Sequence, residues 1–162
     1  MTQPIATEIH QRIFLVVVDE SEEMTVALHY AALRARNSGG RVALLHVMEM
    51  GELQQWGAVE ALMKQEAREE AEHLLQRLAK EVVDISGFLP CLYIREGTRR
   101  DELLKLIEEE PGISILVLAA GAGRGGPGPL ISHIVGQMSG TLRIPVTVVP
   151  GTLTDAQLDA IT

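Results

Sequence analysis

The chain has 162 residues, the length of one ordinary domain, and a formal net charge of −8 with a pI near 5.1. That acidic balance repels phosphate backbones and anionic headgroups, which argues against nucleic acid and membrane surfaces as partners. Apolar residues make up 46%, so a globular core is expected, but aromatics are only 3%, so that core must be aliphatic. Glycine is the other oddity: Gly121, Gly123, Gly125, Gly126 and Gly128 crowd one short segment. Cys91 is the single cysteine, so no internal disulfide can form, which fits a reducing compartment. The first eleven residues carry no basic, apolar leader pattern, and no apolar run approaches 18 residues. The expectation is a soluble, cytoplasmic domain over 12–150, with an extension at 1–11 and a short tail at 151–162.

Residues 12–18 (RIFLVVV) form a continuous apolar run rich in β-branched side chains, the pattern of a strand buried on both faces. Asp19, Glu20, Ser21, Glu22 and Glu23 follow, offering cap residues and first-turn acids to a helix. Met24, Ala27, Leu28, Ala31 and Ala35 recur at helical spacing, and Gly39-Gly40 stops the helix. A second strand is predicted over 41–48 (RVALLHVM). Residues 53–83 read as mostly helical, with Ala67, Ala71, Leu74, Leu75, Leu78 and Val82 on one face and a loop-like stretch at 50–58.

A third strand is predicted over 88–94, and Pro90 places it at a sheet edge, because proline cannot donate to a ladder. Thr98 reads as an N-cap with Asp101 as its capping-box acid, followed by inward-facing Leu103, Leu104 and Ile107. A fourth strand is expected over 113–118, then the glycine-rich loop. A short helix follows over 130–142, with Ile131, Ile134, Val135 and Met138 on one side. A fifth strand occupies 145–149 and a short acidic segment 154–161. Buried strands alternating with helices mean an α/β fold with a parallel sheet and right-handed crossovers. In such sheets ligands bind beyond the carboxyl ends of the strands, at the switch point. Asp19, the His46–Met48 stretch and residues 119–128 fall there.

Each of these has two readings. The glycine loop can cradle an anion with its backbone N–H groups, with Arg124 pairing to a phosphate, or it can be a plain surface loop. Pro127 and Pro129 remove two donors, and no Lys-Ser/Thr follows, so it is not a Walker A loop. Asp19 can accept hydrogen bonds from a ligand or cap the next helix. His46 reads more simply as a satisfied core histidine than as a catalyst. His133, near a helix start, can reach an anion or stay solvated. The histidines at 10, 29, 46, 73 and 133 share no metal-ligand spacing. Receiver, flavodoxin and PP-loop chemistries each lack a required residue: strand three leads to Arg95-Glu96-Gly97 rather than an acceptor aspartate, and the acids after strand one would repel a phosphate.

In order and spacing the pattern resembles the universal stress protein (UspA-like) family. Ile13 to Ser21 resembles its opening strand and Val-Asp-x-Ser turn, and the stretch ending His46-Val47 its Leu-Leu-His-Val strand. Glu96-Gly97, then Ile115-Leu-Val-Leu118 with a glycine loop, and finally Ile144-Pro145 with Val146 to Val149 resemble its second half. The resemblance implies a five-stranded parallel sheet in the order 3-2-1-4-5 and a homodimer paired through strand 145–149. For the ATP-binding branch it implies Asp19 and Val47 as adenosine contacts. Counted back without gaps from Pro145, Ala119 and Ala122 stand where that branch has its two phosphate glycines, and Ser132-His133 where it has Gly-Ser. A shifted alignment places Gly123, Gly126 and Gly136 on the motif but shortens the last helix by about a turn. A methyl where backbone must approach phosphate weakens such a site, although Gly121, Gly123 and Arg124 can rebuild one.

Two expectations follow. One is a dimeric regulatory and binding module with weak or no ATP binding and no catalytic apparatus. The alternative is an ATP/AMP-binding protein, with slow hydrolysis, that uses Asp19 and the 121–128 loop. A less favoured third is a partner-docking module that uses the acidic tail or the Trp56 segment.

Overall fold

The computed structural model describes residues 11–49, 58–138 and 140–162. The expected extension at 1–11 lies almost wholly outside them, and so do residues 50–57 with Trp56. Five strands form one parallel sheet: β1 (Ile13–Val17), β2 (Arg41–Met48), β3 (Cys91–Glu96), β4 (Ile113–Ala120) and β5 (Val146–Pro150). The order is β3-β2-β1-β4-β5, as expected. Among the described residues five helices connect and flank the strands: α1 (Glu23–Ser38), α2 (Ala58–Ser86), α3 (Arg99–Glu109), α4 (Pro129–Gln137) and α5 (Asp155–Ile161).

β1 lies at the centre, and its side chains alternate between two cores. Phe14, Val16 and Val18 face the layer containing α1 and α2, with Met24, Ala27, Leu28, Leu75 and Val82. Leu15 and Val17 face the layer containing α3 and α4, with Leu103, Leu106, Ile107, Ile131 and Ile134. Both faces are therefore dry, which is why the β1 sequence is continuously apolar rather than alternating. The cores are almost wholly aliphatic, as the scarcity of aromatics requires. Small residues bring α1 close to the sheet: Ala27, Ala31, Ala32 and Ala35 are at most 2% exposed. Gly39, at φ 69°, ends α1 in the left-handed conformation and turns the chain into β2.

Several expectations shift. The third strand begins at Cys91, not at 88: Pro90 has no N–H and precedes the ladder, leaving Phe88 and Leu89 exposed. It is nevertheless an edge strand. β4 runs two residues beyond its expected end, to Ala120. α4 ends at Gln137 rather than 142, and Val135 faces outward because Ile131 and Ile134 already fill the contact with the sheet. On α3, Leu106 takes the fully buried place expected of Leu104, which is half-buried. Thr98 stands at the N-cap in extended conformation, but its hydroxyl accepts no helix N–H, so the expected capping box is absent. The cap comes from elsewhere: Glu49 Oε1, just past β2, accepts the Arg99 N–H at 2.9 Å.

The C-terminal segment is more than a tail. Thr154 and Gln157 form a reciprocal capping box, and Leu158 of α5 is 1% exposed in the α1 core. His29 Nδ1 of α1 lies 3.1 Å from Asp155 Oδ1. Leu158→Ala is expected to lower the unfolding free energy by about 2–5 kcal/mol, read from the midpoint of chemical denaturation. A change under about 0.5 kcal/mol would mean that α5 is not part of the folded core.

Candidate functional site

The site follows from unequal strand lengths. β1 stops at Val17, whereas its two neighbours, starting in register with it, run on to Met48 and Ala120. β1 and β4 shift register after Ile13, so that Val16 pairs with Val117; at about 3.3 Å per residue, three extra residues on β2 and two on β4 leave a notch about 7–10 Å deep over the end of β1. The last ladder bond between β1 and β2 is Val18 N–H donating to Leu45 O at 2.7 Å. Backbone direction alternates along a strand, so Val47 keeps the orientation of Leu45. Its N–H and C=O face the space beyond β1, positioned for the polar edge of a ligand.

Three adjoining cavities line this notch. The largest, about 820 Å³, lies toward α2 and is walled by Asp19, Ser21, Met24, His46, Val47 and Arg99, among others. That is an ordinary size for a small-molecule site. A second, about 210 Å³, runs under the glycine loop between Asp19, Glu23, Arg99, Ala119, Gly121 and Gly128. A third, about 410 Å³, opens between Glu49, Thr98, Arg99, Pro129, Leu130 and His133.

Asp19 sits where the first two cavities meet. It does not cap α1, which starts four residues later with Glu22 at its N-cap and no side-chain cap bond. Instead, Asp19 Oδ1 accepts the Ser21 N–H at 2.8 Å and the Ser21 hydroxyl, fixing a tight turn. Oδ2 has no partner among the described residues. His46 is not a satisfied core histidine: its Nδ1 is buried without a hydrogen-bond partner among the described residues, and His46 lines the largest of the three cavities.

The glycine loop divides. Gly121 lines the notch, and Gly128 leads into α4. Gly123 and Arg124 are exposed, outside the lining of all three cavities, and Ser132 is exposed on α4. Some loop donors are spent internally: Gly126 N–H bonds Gly123 O at 3.1 Å, and Gly121 N–H bonds Pro127 O at 3.3 Å. Glu23, from the first turn of α1, fills space beneath the loop. A methyl on Gly121 would meet Glu23 Oε1 at 3.1 Å, and one on Gly151 would meet Glu23 Cγ at 2.5 Å.

The fold thus brings Asp19, Val47, Ala119, Gly121 and His133 around one notch, and leaves Gly123, Arg124 and Ser132 outside it. Sequence reasoning missed Arg99, Glu23 and Glu49. Arg99 lines all three cavities. Its Nε is buried without a hydrogen-bond partner, and its guanidinium has no ion pair among the described residues. A signal was available. Arg99-Arg100 opens a helix, where the dipole disfavours cations, and local rules are broken most often at functional sites. Beside them the Thr98 hydroxyl holds the Asp101 carboxyl below its usual value. Among the described residues no cluster of His, Cys, Asp and Glu could hold a metal, and no helix is long and apolar enough to cross a membrane.

The chain is thus an α/β domain with an open parallel sheet and a polar notch at its switch point, the place where ligands bind in such sheets. The universal stress protein family model matches residues 11–150, and the chain belongs to that family. No curated protein matches it. Among solved structures, UspA from Lactobacillus plantarum is similar at 19% identity, covering 86% of this chain and 97% of its own, with a TM-score of 0.73. A universal stress protein in complex with cAMP is similar at 13% identity over 88% and 98%, with a TM-score of 0.62. A family protein from Arabidopsis thaliana with AMP bound is similar at 16% identity over 86% and 91%, with a TM-score of 0.58. At these identities the likeness shows the fold.

The contrast between the crowded backbone against Glu23 and the open outer part of the glycine loop is testable by stability. Gly151→Ala sets a methyl 2.7 Å from Ala120 O as well as against Glu23, and is expected to cost about 1–3 kcal/mol. At Gly123 nothing lies within 4 Å of an added methyl, so Gly123→Ala is expected to be neutral or to stabilise by up to about 1 kcal/mol. Equal losses from the two variants in urea unfolding would contradict this contrast.

Proposed function

We propose that this chain is a dimeric binding and regulatory module of the stress response, whose notch takes an adenine nucleotide and takes ATP poorly. The adenosine end is supported by Asp19, one of whose carboxylate oxygens has no partner among the described residues, and by the outward-facing backbone of Val47 beside a cavity of suitable size. The observation that carries the reading is Glu23, whose carboxylate lies against Gly121 under the loop that would have to receive the phosphates. A carboxylate there opposes a polyphosphate by like charge. Ala119 and Ala122 add methyls where the family's nucleotide-binding branch has glycine. The family proteins solved with cAMP and with AMP carry one phosphate group, and such a ligand suits this notch better than a triphosphate.

The homodimer is supported by β5, an edge strand of the sheet whose outward Val148 is 38% exposed. An apolar edge of this kind is closed most simply by its own copy about a two-fold axis.

Calorimetry with AMP and ATP tests the ligand. AMP is expected to bind more tightly than ATP, and Asp19→Ala to weaken AMP by about 10-fold or more. Tighter ATP than AMP, or unchanged AMP binding by Asp19→Ala, would refute the assignment. Light scattering tests the assembly: the wild type is expected at twice the chain mass, and Val148→Lys at the monomer mass. A monomeric wild type at tens of micromolar would refute the dimer.

A further inference from the structure

We propose that Arg99 is the phosphate-binding group of this notch, and that Arg99 and Glu23 together restrict it to ligands with a single phosphate. The inference rests on the nucleotide reading above and extends it to two residues that the family motif does not contain.

Arg99 is the first residue of α3, and its backbone is held by Glu49. That bond fixes where the side chain starts. The guanidinium then enters the junction of all three cavities, opposite the glycine loop. Among the described residues its buried Nε–H lacks an acceptor, and no carboxylate lies within ion-pair distance of its guanidinium. A guanidinium always carries its charge, and its planar fork matches two phosphate oxygens. An anion in the notch would supply the missing acceptor.

The remaining charges set the limit. Among the described residues Arg99 is the one cation lining the small cavity under the loop, where Asp19 and Glu23 are acidic. Among the described residues Arg77 is the only other arginine or lysine of the large cavity, where it stands among Glu20, Glu49, Glu70 and Glu81, and Arg100, which lines the third cavity beside His133, is already paired with Asp101 at 3.5 Å. Arg124 lies outside the lining. One fork can neutralise one phosphate. A second and a third would have to extend toward Glu23 without a counter-charge, and against backbone donors already spent within the loop.

The test is calorimetry with adenosine, AMP and ATP on the wild type, Arg99→Ala, Arg99→Lys and Glu23→Gln, with thermal unfolding as the control for folding. Arg99→Ala is expected to weaken AMP about 10- to 100-fold while leaving adenosine within about twofold. Arg99→Lys should recover part of the loss, since it restores charge but not the fork. Glu23→Gln should tighten ATP about 10-fold and leave adenosine unchanged. Removing a cation from the start of α3 should not lower the melting temperature. AMP binding unaffected by Arg99→Ala but lost in Asp19→Ala would overturn the role of Arg99 and leave the nucleotide reading standing. ATP unaffected by Glu23→Gln would overturn the exclusion. Absence of binding by both adenosine and AMP to the wild type would overturn the nucleotide reading and this proposal with it.

Discussion

The structure depends on one constraint, the burial of β1 on both faces. A central strand covered by helices on either side must be apolar at every position, so it can carry no polar side chain until it leaves the cores. Its first polar residue, Asp19, therefore falls just beyond the end of the strand. Because β2 and β4 are each eight residues to β1's five, that end lies in a notch between two longer walls. The position of Asp19, the free backbone face of Val47 and the exit of the glycine loop all follow from this difference in length. Polar groups there face a cavity rather than solvent, which makes the notch a place where a few hydrogen bonds can select a ligand.

The electrostatics of the notch come from the ends of helices. The start of α1 carries Glu22 at the N-cap and Glu23 in the first turn, the sign its dipole favours, and α1 has no side-chain cap bond to do that work instead. Glu23 thus has a structural role, and its reach beneath the loop is set by close contacts at Gly121 and Gly151. The same carboxylate makes that end of the notch negative. α3 is arranged the other way round. Two arginines begin it against the dipole, with Asp101 and Glu102 following in the same turn to offset them. Glu49 supplies the cap that Thr98 does not. A helix start built in this manner fixes a cation at the mouth of the notch, at some expense to its own stability.

Much of this was legible in the sequence, and the reason is periodicity. Continuous apolar runs gave the buried strands, and the spacing of Ala27, Leu28, Ala31 and Ala35 gave α1. Their alternation gave the parallel sheet, hence the position of Asp19 and Val47 at its carboxyl edge. What stayed hidden depends on contacts distant in the chain. Arg99 reaches the notch only because Glu49, fifty residues earlier, holds the start of α3. Glu23 reads as a first-turn acid until the β4 and β5 ends are folded over it. The start of β3 was misread because Phe88 and Leu89 look like core residues, although Pro90 separates them from the ladder. Leu158 looked like part of a solvated tail because a single apolar residue in a short acidic helix has no periodicity to reveal its burial. In the glycine loop, composition pointed to a cradle, but which glycines face the cavity is a matter of loop geometry that composition does not encode.

The changes at the loop and at α3 make sense as a single exchange. A cradle of backbone N–H groups acts along a length of chain, so it can hold a run of phosphates, and it requires glycine wherever a methyl would intrude. Ala119 and Ala122 relax that requirement, and Gly126 and Gly121 direct their N–H groups into the loop itself. A guanidinium acts at one point, needs no glycine opposite it, and brings full charge rather than partial dipoles. Under the proposed role of Arg99, replacing the first device by the second would keep affinity for one phosphate and give up the rest. It would also release the outer glycines, Gly123 and Gly125, from any need for close approach, in keeping with the open space around them. On that proposal the anion contact lies on the wall opposite the richest glycine segment of the chain, whose outer part is left as open surface loop.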